Sequence, residues 1–429
     1  MLLNRPELLA PAGNYENAYF ALKYGADAIY QGLDGFSLRR TKKAELGVDE
    51  LIRCAELAHM QGKKHYLAVN MFAHESDIVL FQKKIEDIAK IKTDAFILSD
   101  PGMFLILKER FPEGEFHLST QANTLNSSAV SFWEKQGISR VILARELTRE
   151  DISTIREQTS IGLEMFVHGA MCMSYSGRCH LSNYFLNRDA NRGECAQPCR
   201  WEYTQKTQNP NDKSQKISSI SLEPQASSQT SFIEIEEDEK GTYILNSKDL
   251  CLIEKIPELM KIGIDSFKIE GRNKTSYYVA NVVRVYRQVI DECLCGNLKE
   301  ATLHWGKQEL SKVSHRDYST GFYDGEKGSF NFNSSGYIKD AKMVGIASSD
   351  GNQIEIDVRD KIEIGDEITV ILPEKRTDLV ITVTKIIDRK TGENIQSAHN
   401  GNLINIPIEA SIFEQLIVRK ETRRSTPVC

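Results

Sequence analysis

No stretch of this chain approaches the roughly 18 consecutive apolar residues that a membrane-spanning helix requires, which argues against an integral membrane protein. The opening residues, MLLNRPELLA, lack the basic start, apolar core and small-residue cleavage site of a secretory leader. The expectation is a soluble cytoplasmic protein with reduced cysteines. A surplus of one charge is also missing: 54 Lys and Arg stand against 60 Asp and Glu, a net charge of −6. That balance excludes a general nucleic-acid coat but leaves room for a local basic patch. Two runs qualify: Arg39, Arg40, Lys42 and Lys43, and the tail cluster Arg419, Lys420, Arg423 and Arg424. Taken alone, both read as solvated loop charges. Three signatures are absent as well: the G-x-G-x-x-G dinucleotide turn, the H-E-x-x-H zinc helix and the G-x-S-x-G nucleophile elbow.

Cysteine, by contrast, is concentrated in one place. Of nine cysteines, four fall between positions 172 and 199: Cys172, Cys179, Cys195 and Cys199. Even scatter would put fewer than one there. Soft thiolates gathered this way in a reducing compartment hold a metal or an inorganic cluster. The C-x6-C and C-x3-C spacings are wide for a zinc knuckle and suit a larger core. An iron–sulfur cluster is therefore favoured over zinc, with free thiols as the remaining reading. Cys251 is a reserve ligand, whereas Cys54 and Cys293 read as helix-face residues.

Eight short apolar runs punctuate the first 270 residues, at 8–11, 28–31, 65–70, 95–99, 116–120, 140–144, 163–167 and 266–269. Amphipathic stretches at 14–24, 48–61, 78–91, 127–136 and 149–158 lie between them, and another follows at 276–291. Strand followed by helix, with strands apolar on both faces, is the pattern of a (β/α)8 TIM-like barrel. A doubly wound open sheet competes, but the first turn, Pro11-Ala-Gly13-Asn14, lacks its glycine spacing.

In such a barrel the chemistry sits at the C-terminal strand ends. Those ends carry Gly13, Gln31, Asn70, Asp100, Gln121, Arg145, His168, Glu270 and Arg272. The cysteines then occupy an insertion after strand seven, on the catalytic face. Arg145, Lys268 and Arg272 suit an anionic substrate. His168 reads as a ligand, an acid–base group or a structural histidine. Residues 204–240 form a polar, Ser/Gln/Lys-rich excursion from the barrel, which closes by about residue 330. From 341 to 424 the pattern changes to period two with Gly and Asn-Gly turns, a small antiparallel β-barrel domain.

Residues 164–182, EMFVHGAMCMSYSGRCHLS, resemble the signature of the collagenase-like peptidase U32 family, and 191–201, NRGECAQPCRW, continue it. So do ELLAPAGN at 7–14, NSKDLC at 246–251 and FKIEGR at 267–272. The resemblance covers nearly the whole chain. It is closest to the branch that hydroxylates tRNA, which implies formation of 5-hydroxyuridine at the wobble position, dependent on prephenate and independent of dioxygen. It also implies a 4Fe–4S cluster on Cys172, Cys179 and Cys195, with Cys199 as fourth ligand and Cys251 in reserve. Arg145 and Arg272 become clamps for the dicarboxylate, with His168 as the third catalytic residue. Arg39, Arg40, Lys42 and Lys43 become the tRNA contact. An oligomer, of this chain alone or with another family member, is compatible with the resemblance. A peptidase with a Cys172–His168 pair and a non-catalytic iron–sulfur accessory protein are the alternatives.

Overall fold

The computed structural model describes residues 4–38, 46–172, 174–175, 179, 181–186, 188–192, 194–200, 203–206, 220–224, 233–235, 247–325, 337–349, 353–373, 377–408 and 414–422. Eight parallel strands form the centre: β1 Glu7–Pro11, β2 Ala28–Gly32, β3 Lys64–Val69, β4 Ala95–Leu98, β5 Glu115–Leu118, β6 Arg140–Ile142, β7 Gly162–Ala170 and β8 Ser266–Ile269. Each pairs with its successor, and β8 pairs with both β7 and β1, so the sheet closes into a barrel. All eight expected strands are present at the positions read from the apolar runs.

Helices α1 Tyr15–Lys23, α2 Val48–Met60, α3 Glu75–Ile91, α4 Pro101–Arg110, α5 Ser127–Gln136, α6 Arg149–Glu157 and α7 Ser276–Leu294 surround the strands. Local chemistry starts several of them. Asn14, Asp100, Asn126, Thr148 and Thr275 each accept a first-turn N–H, and Thr148 forms a capping box with Asp151. Helix α4 had no amphipathic signal because its apolar residues, Met103 to Leu107, run consecutively. Its Asp100-Pro101 start was the legible cue.

The barrel interior departs from a purely apolar filling. Alternation along the strands turns Glu7, Tyr66, Arg140, Glu164 and Lys268 inward, where they satisfy one another. Arg140 bonds Glu7 at 2.6 Å and Glu164 at 3.2 Å, Lys268 bonds Glu164 at 2.7 Å, and the Tyr66 hydroxyl donates to Glu7 at 2.6 Å. Between β7 and β8 the register slips: Phe166 lies opposite Lys268, but His168 lies opposite Ile269. Val167 is the extra residue of a β-bulge.

Within the polar excursion, strands Tyr203–Lys206, Ile220–Pro224 and Ile233–Ile235 pair antiparallel. The C-terminal domain is an eight-stranded antiparallel sheet running from Ala341 to Glu421, curled as a half-barrel. Its apolar core is continuous with that of the barrel, and buried polar contacts cross the junction. The Tyr24 hydroxyl donates to Ile371 O at 2.8 Å and accepts from Ile417 N at 3.2 Å. Buried Arg284 and Arg419 meet Glu309 and Asp378, with Arg284 Nη2 2.6 Å from Glu309. Burial opposes ionisation of Glu309, but Arg419 and Arg284 outweigh it and hold the carboxyl down to about 2. No described helix is long and apolar enough to cross a membrane.

Candidate active site at the barrel mouth

A pocket opens at the C-terminal end of the strands, lined by residues of every barrel strand or following loop except β1. Its aromatic walls are Tyr30 and Phe166. Lys268, almost fully buried, lies 4.4 Å from the Tyr30 ring and 5.5 Å from that of Phe166, with Glu164 beneath it. The Tyr30 hydroxyl donates to Ile269 O at 2.9 Å, which fixes the ring. Glu164 is itself fully buried; Lys268 and Arg140 overcome the burial penalty and lower its pKa, so it stays a carboxylate.

Arg145 and Arg272 both line this pocket. Arg145 sits 4.9 Å from the Phe166 ring and donates to Ala170 O at 2.7 Å. Arg272 lies 5.9 Å from the Tyr30 ring and reaches inward only because two glycines let it. A Cβ on Gly32 would stand 2.1 Å from Arg272 Nη1, and one on Gly13 would stand 1.9 Å from Arg272 O. With Lys268 and Glu270, the charged side chains lining the pocket number three cations and one carboxylate. A site of that balance favours an anion.

The lining also holds two amides, Asn70 and Gln121, joined by a hydrogen bond of 3.1 Å. Two other strand-end residues do different work. Gln31 faces outward, bonded to Ala12 O and His65, and Asp100 caps α4 and accepts from Ala73 N.

His168 is not brought to the pocket. The bulge at Val167 turns its ring outward, where it is buried among Tyr278, Tyr286 and Tyr318 at centroid distances of 5.3–6.0 Å. Burial, reinforced by His315 and Lys274, pushes its pKa down to about 3, so it is neutral. The expected catalytic placement is corrected on that ground. Cys172 is exposed while His168 is buried, so the two do not form a nucleophile–base pair.

The cysteine loop leaves the end of β7 and reaches the end of β3, four strands away around the barrel. There Phe72 N donates to Asn191 Oδ1 at 3.0 Å and Asn191 Nδ2 donates to Phe72 O at 2.9 Å, two residues past Asn70. Cys179, Cys195 and Cys199 are half-buried. Their donor chemistry suits a soft metal or an iron–sulfur core, yet among the described residues no three His, Cys, Asp or Glu side chains are grouped to hold a metal ion. As placed, the thiols do not close a ligand set. Cys251 lies apart from the others: strand Asp249–Cys251 runs antiparallel to β7, placing Cys251 opposite His168 and beside the Tyr286 hydroxyl. Loss of solvent pushes its thiol up to about 11, which disfavours the thiolate a ligand requires. Arg39, Arg40, Lys42 and Lys43 lie outside the described residues.

Sequence reasoning missed the functional placement of Tyr30, Phe166 and Glu164. Period-two counting along their own strands, Glu164 to Phe166 on β7 and Ala28 to Tyr30 on β2, was the available signal.

Comparison with known proteins places this architecture. The model for peptidase family U32 matches residues 13–332, and that for the peptidase family U32 C-terminal domain matches 339–419. The chain is 35% identical to tRNA hydroxylation protein P of Haemophilus influenzae, over 98% of each chain. It is 36% identical to the protein of the same name from Escherichia coli, over 86% of this chain and 87% of that one. It is 31% identical to the 23S rRNA 5-hydroxycytidine C2501 synthase of Escherichia coli, over 91% of this chain and 56% of that one. Barrel, cysteine loop and terminal half-barrel fall within these matches, and the chain belongs to peptidase family U32.

Proposed function

We propose that this protein is an RNA-modifying enzyme that hydroxylates tRNA, forming 5-hydroxyuridine at the wobble position with prephenate as co-substrate. The observation that carries the reading is the near full-length similarity to proteins named for tRNA hydroxylation. The barrel mouth supports it. Arg145, Arg272 and Lys268 offer three cations to a dicarboxylate, and Tyr30 and Phe166 offer flat faces to a ring. Glu164 holds the Lys268 ammonium in place, and the aromatic walls keep water from the reacting edge. Arg39, Arg40, Lys42 and Lys43, in the segment that follows β2, are assigned to the phosphate backbone.

An iron–sulfur cluster on Cys172, Cys179, Cys195 and Cys199 belongs to the proposal on donor chemistry, and such a group supplies electron transfer when bound. The expected outcome of anaerobic purification is a brown protein with broad visible absorbance; a colourless, zinc-loaded protein overturns the cluster. Against a peptidase stand the missing nucleophile motifs and the separation of Cys172 from His168.

Nucleoside mass spectrometry of tRNA from a strain lacking the gene tests the function. The modified nucleoside should vanish, return with the wild-type gene, and fail to return with Arg272→Ala. Unchanged tRNA in the deletion strain, with no second pathway present, overturns the reading.

A further inference from the structure

The Asn70–Gln121 pair has an orientation that can be deduced. A backbone N–H can only donate, and Leu38 N donates to Asn70 Oδ1 at 3.2 Å. The Asn70 carbonyl therefore faces Leu38, and its Nδ2 must face the other way. There it donates to Gln121 Oε1 at 3.1 Å and to Ser119 Oγ at 3.3 Å. The Ser119 hydroxyl also donates to Gln121 Oε1. With its oxygen committed to two donors, Gln121 turns its Nε2 away from them, and among the described residues nothing accepts from that nitrogen. Asn70, Ser119 and Gln121 all line the mouth pocket. The pocket lining thus carries an N–H donor of fixed orientation.

We infer that Gln121 Nε2 donates to the C4 carbonyl of the target pyrimidine and so selects uracil over cytosine. The inference rests on the proposed RNA hydroxylation. A base entering the mouth carries its ribose on N1, which stays outside, and ring position C4 lies directly across from N1. The atom that enters first is therefore C4, bonded to C5, the carbon that reacts. Uracil has an oxygen at C4 and accepts from Gln121; cytosine has an amino group there and would set donor against donor. A fixed polar group discriminates strongly because the wrong base leaves it unsatisfied. The similarity to a synthase named for hydroxycytidine makes the question concrete, since the same barrel architecture accompanies a different base.

Matched RNA oligonucleotides with U or C at the target position, treated with the full-length protein and read by nucleoside mass spectrometry, test the inference. Wild-type protein should favour U by about tenfold or more. Gln121→Glu, which keeps the shape but removes both donors, should bring the U:C product ratio to or below one. Gln121→Met, uncharged and of similar length, should bring it near one, and it carries the test if the carboxylate variant does not fold. Asn70→Asp is the sharper variant. It keeps the acceptor for Leu38 but presents a second acceptor to Gln121, which turns the glutamine amide over and points Oε1 into the pocket. Preference should then move toward C, an effect that simple loss of packing would not produce. A wild-type enzyme that hydroxylates U and C equally, or a ratio unchanged in the foldable variants, overturns the role of Gln121 and leaves RNA hydroxylation standing. No hydroxylated pyrimidine from the wild type, either in these oligonucleotides or in cellular tRNA, overturns both.

Discussion

At the junction with the half-barrel, two guanidiniums, Arg284 and Arg419, face two carboxylates, Glu309 and Asp378, and all four are nearly sealed from solvent. At the barrel mouth the lining has three cations to one carboxylate, and Arg145 and Arg272 pack on the faces of Phe166 and Tyr30. The same side-chain chemistry serves two ends. Balanced charge fixes one domain on another, because each buried ion has its counter-ion. A cleft lined by more cations than carboxylates suits the arrival of an anion. The distinction predicts where a mutation will damage the fold and where it will damage the chemistry.

The largest effect should come from unbalancing the junction. Glu309→Ala leaves Arg284 and Arg419 to share Asp378 alone and should cost about 3–5 kcal/mol in a denaturant titration. Activity per folded molecule should be unchanged, and a stability loss under about 1 kcal/mol would place the junction's strength elsewhere. At the mouth the expectation reverses. Arg272→Ala should lower kcat/KM about 100-fold, roughly 3 kcal/mol of lost binding to the charged substrate, while the thermal midpoint holds. A melting loss comparable to that of Glu309→Ala would refute the contrast. Gly32→Ala is the subtler version: its Cβ would occupy the place of the Arg272 guanidinium and the Ser37 hydroxyl. It should raise KM about tenfold with little change in kcat.

The same contrast has a pH dependence. Glu309, at about 2 in the fold against 4.5 unfolded, contributes stability above pH 4.5 that is lost as pH falls toward 2. His168, at about 3 against 6.5, makes folding less favourable as pH falls from 6.5 toward 3, since only the unfolded chain protonates readily. Unfolding titrations should show both windows, with His168→Gln lessening the slope between pH 6.5 and 4.5, to which buried His65, also pushed down to about 3, contributes as well, and leaving the lower one.

Much of this was legible in the chain. The eight strands were, because parallel barrel strands are short apolar runs punctuated by polar ends. Four strands of the half-barrel were legible from alternation, but Ala341–Ser349 and Leu416–Glu421 were not, because neither shows a clean polar–apolar alternation in sequence. Arg145 and Arg272 could be named from their positions at strand ends. The glycines that admit Arg272 could not, since Gly32 and Arg272 meet only when β2 and β8 share a barrel. Nor could the burial of His168, because a bulge is a property of two paired strands rather than of either sequence. Cys251 looked like a spare thiol until its strand proved antiparallel to β7, pointing it away from the loop.

The bulge at Val167 has a consequence beyond one misplaced histidine. Before it, β7 sends Glu164 and Phe166 to the mouth; after it, the alternation is inverted, and His168 is stored behind the wall beside three tyrosines. Paired regularly, with Val167 opposite Ile269, the two strands would instead set His168 opposite Glu270 and turn its imidazole inward. Which face of the wall a side chain serves is thus set by the phase between two strands, with no change in the residue itself.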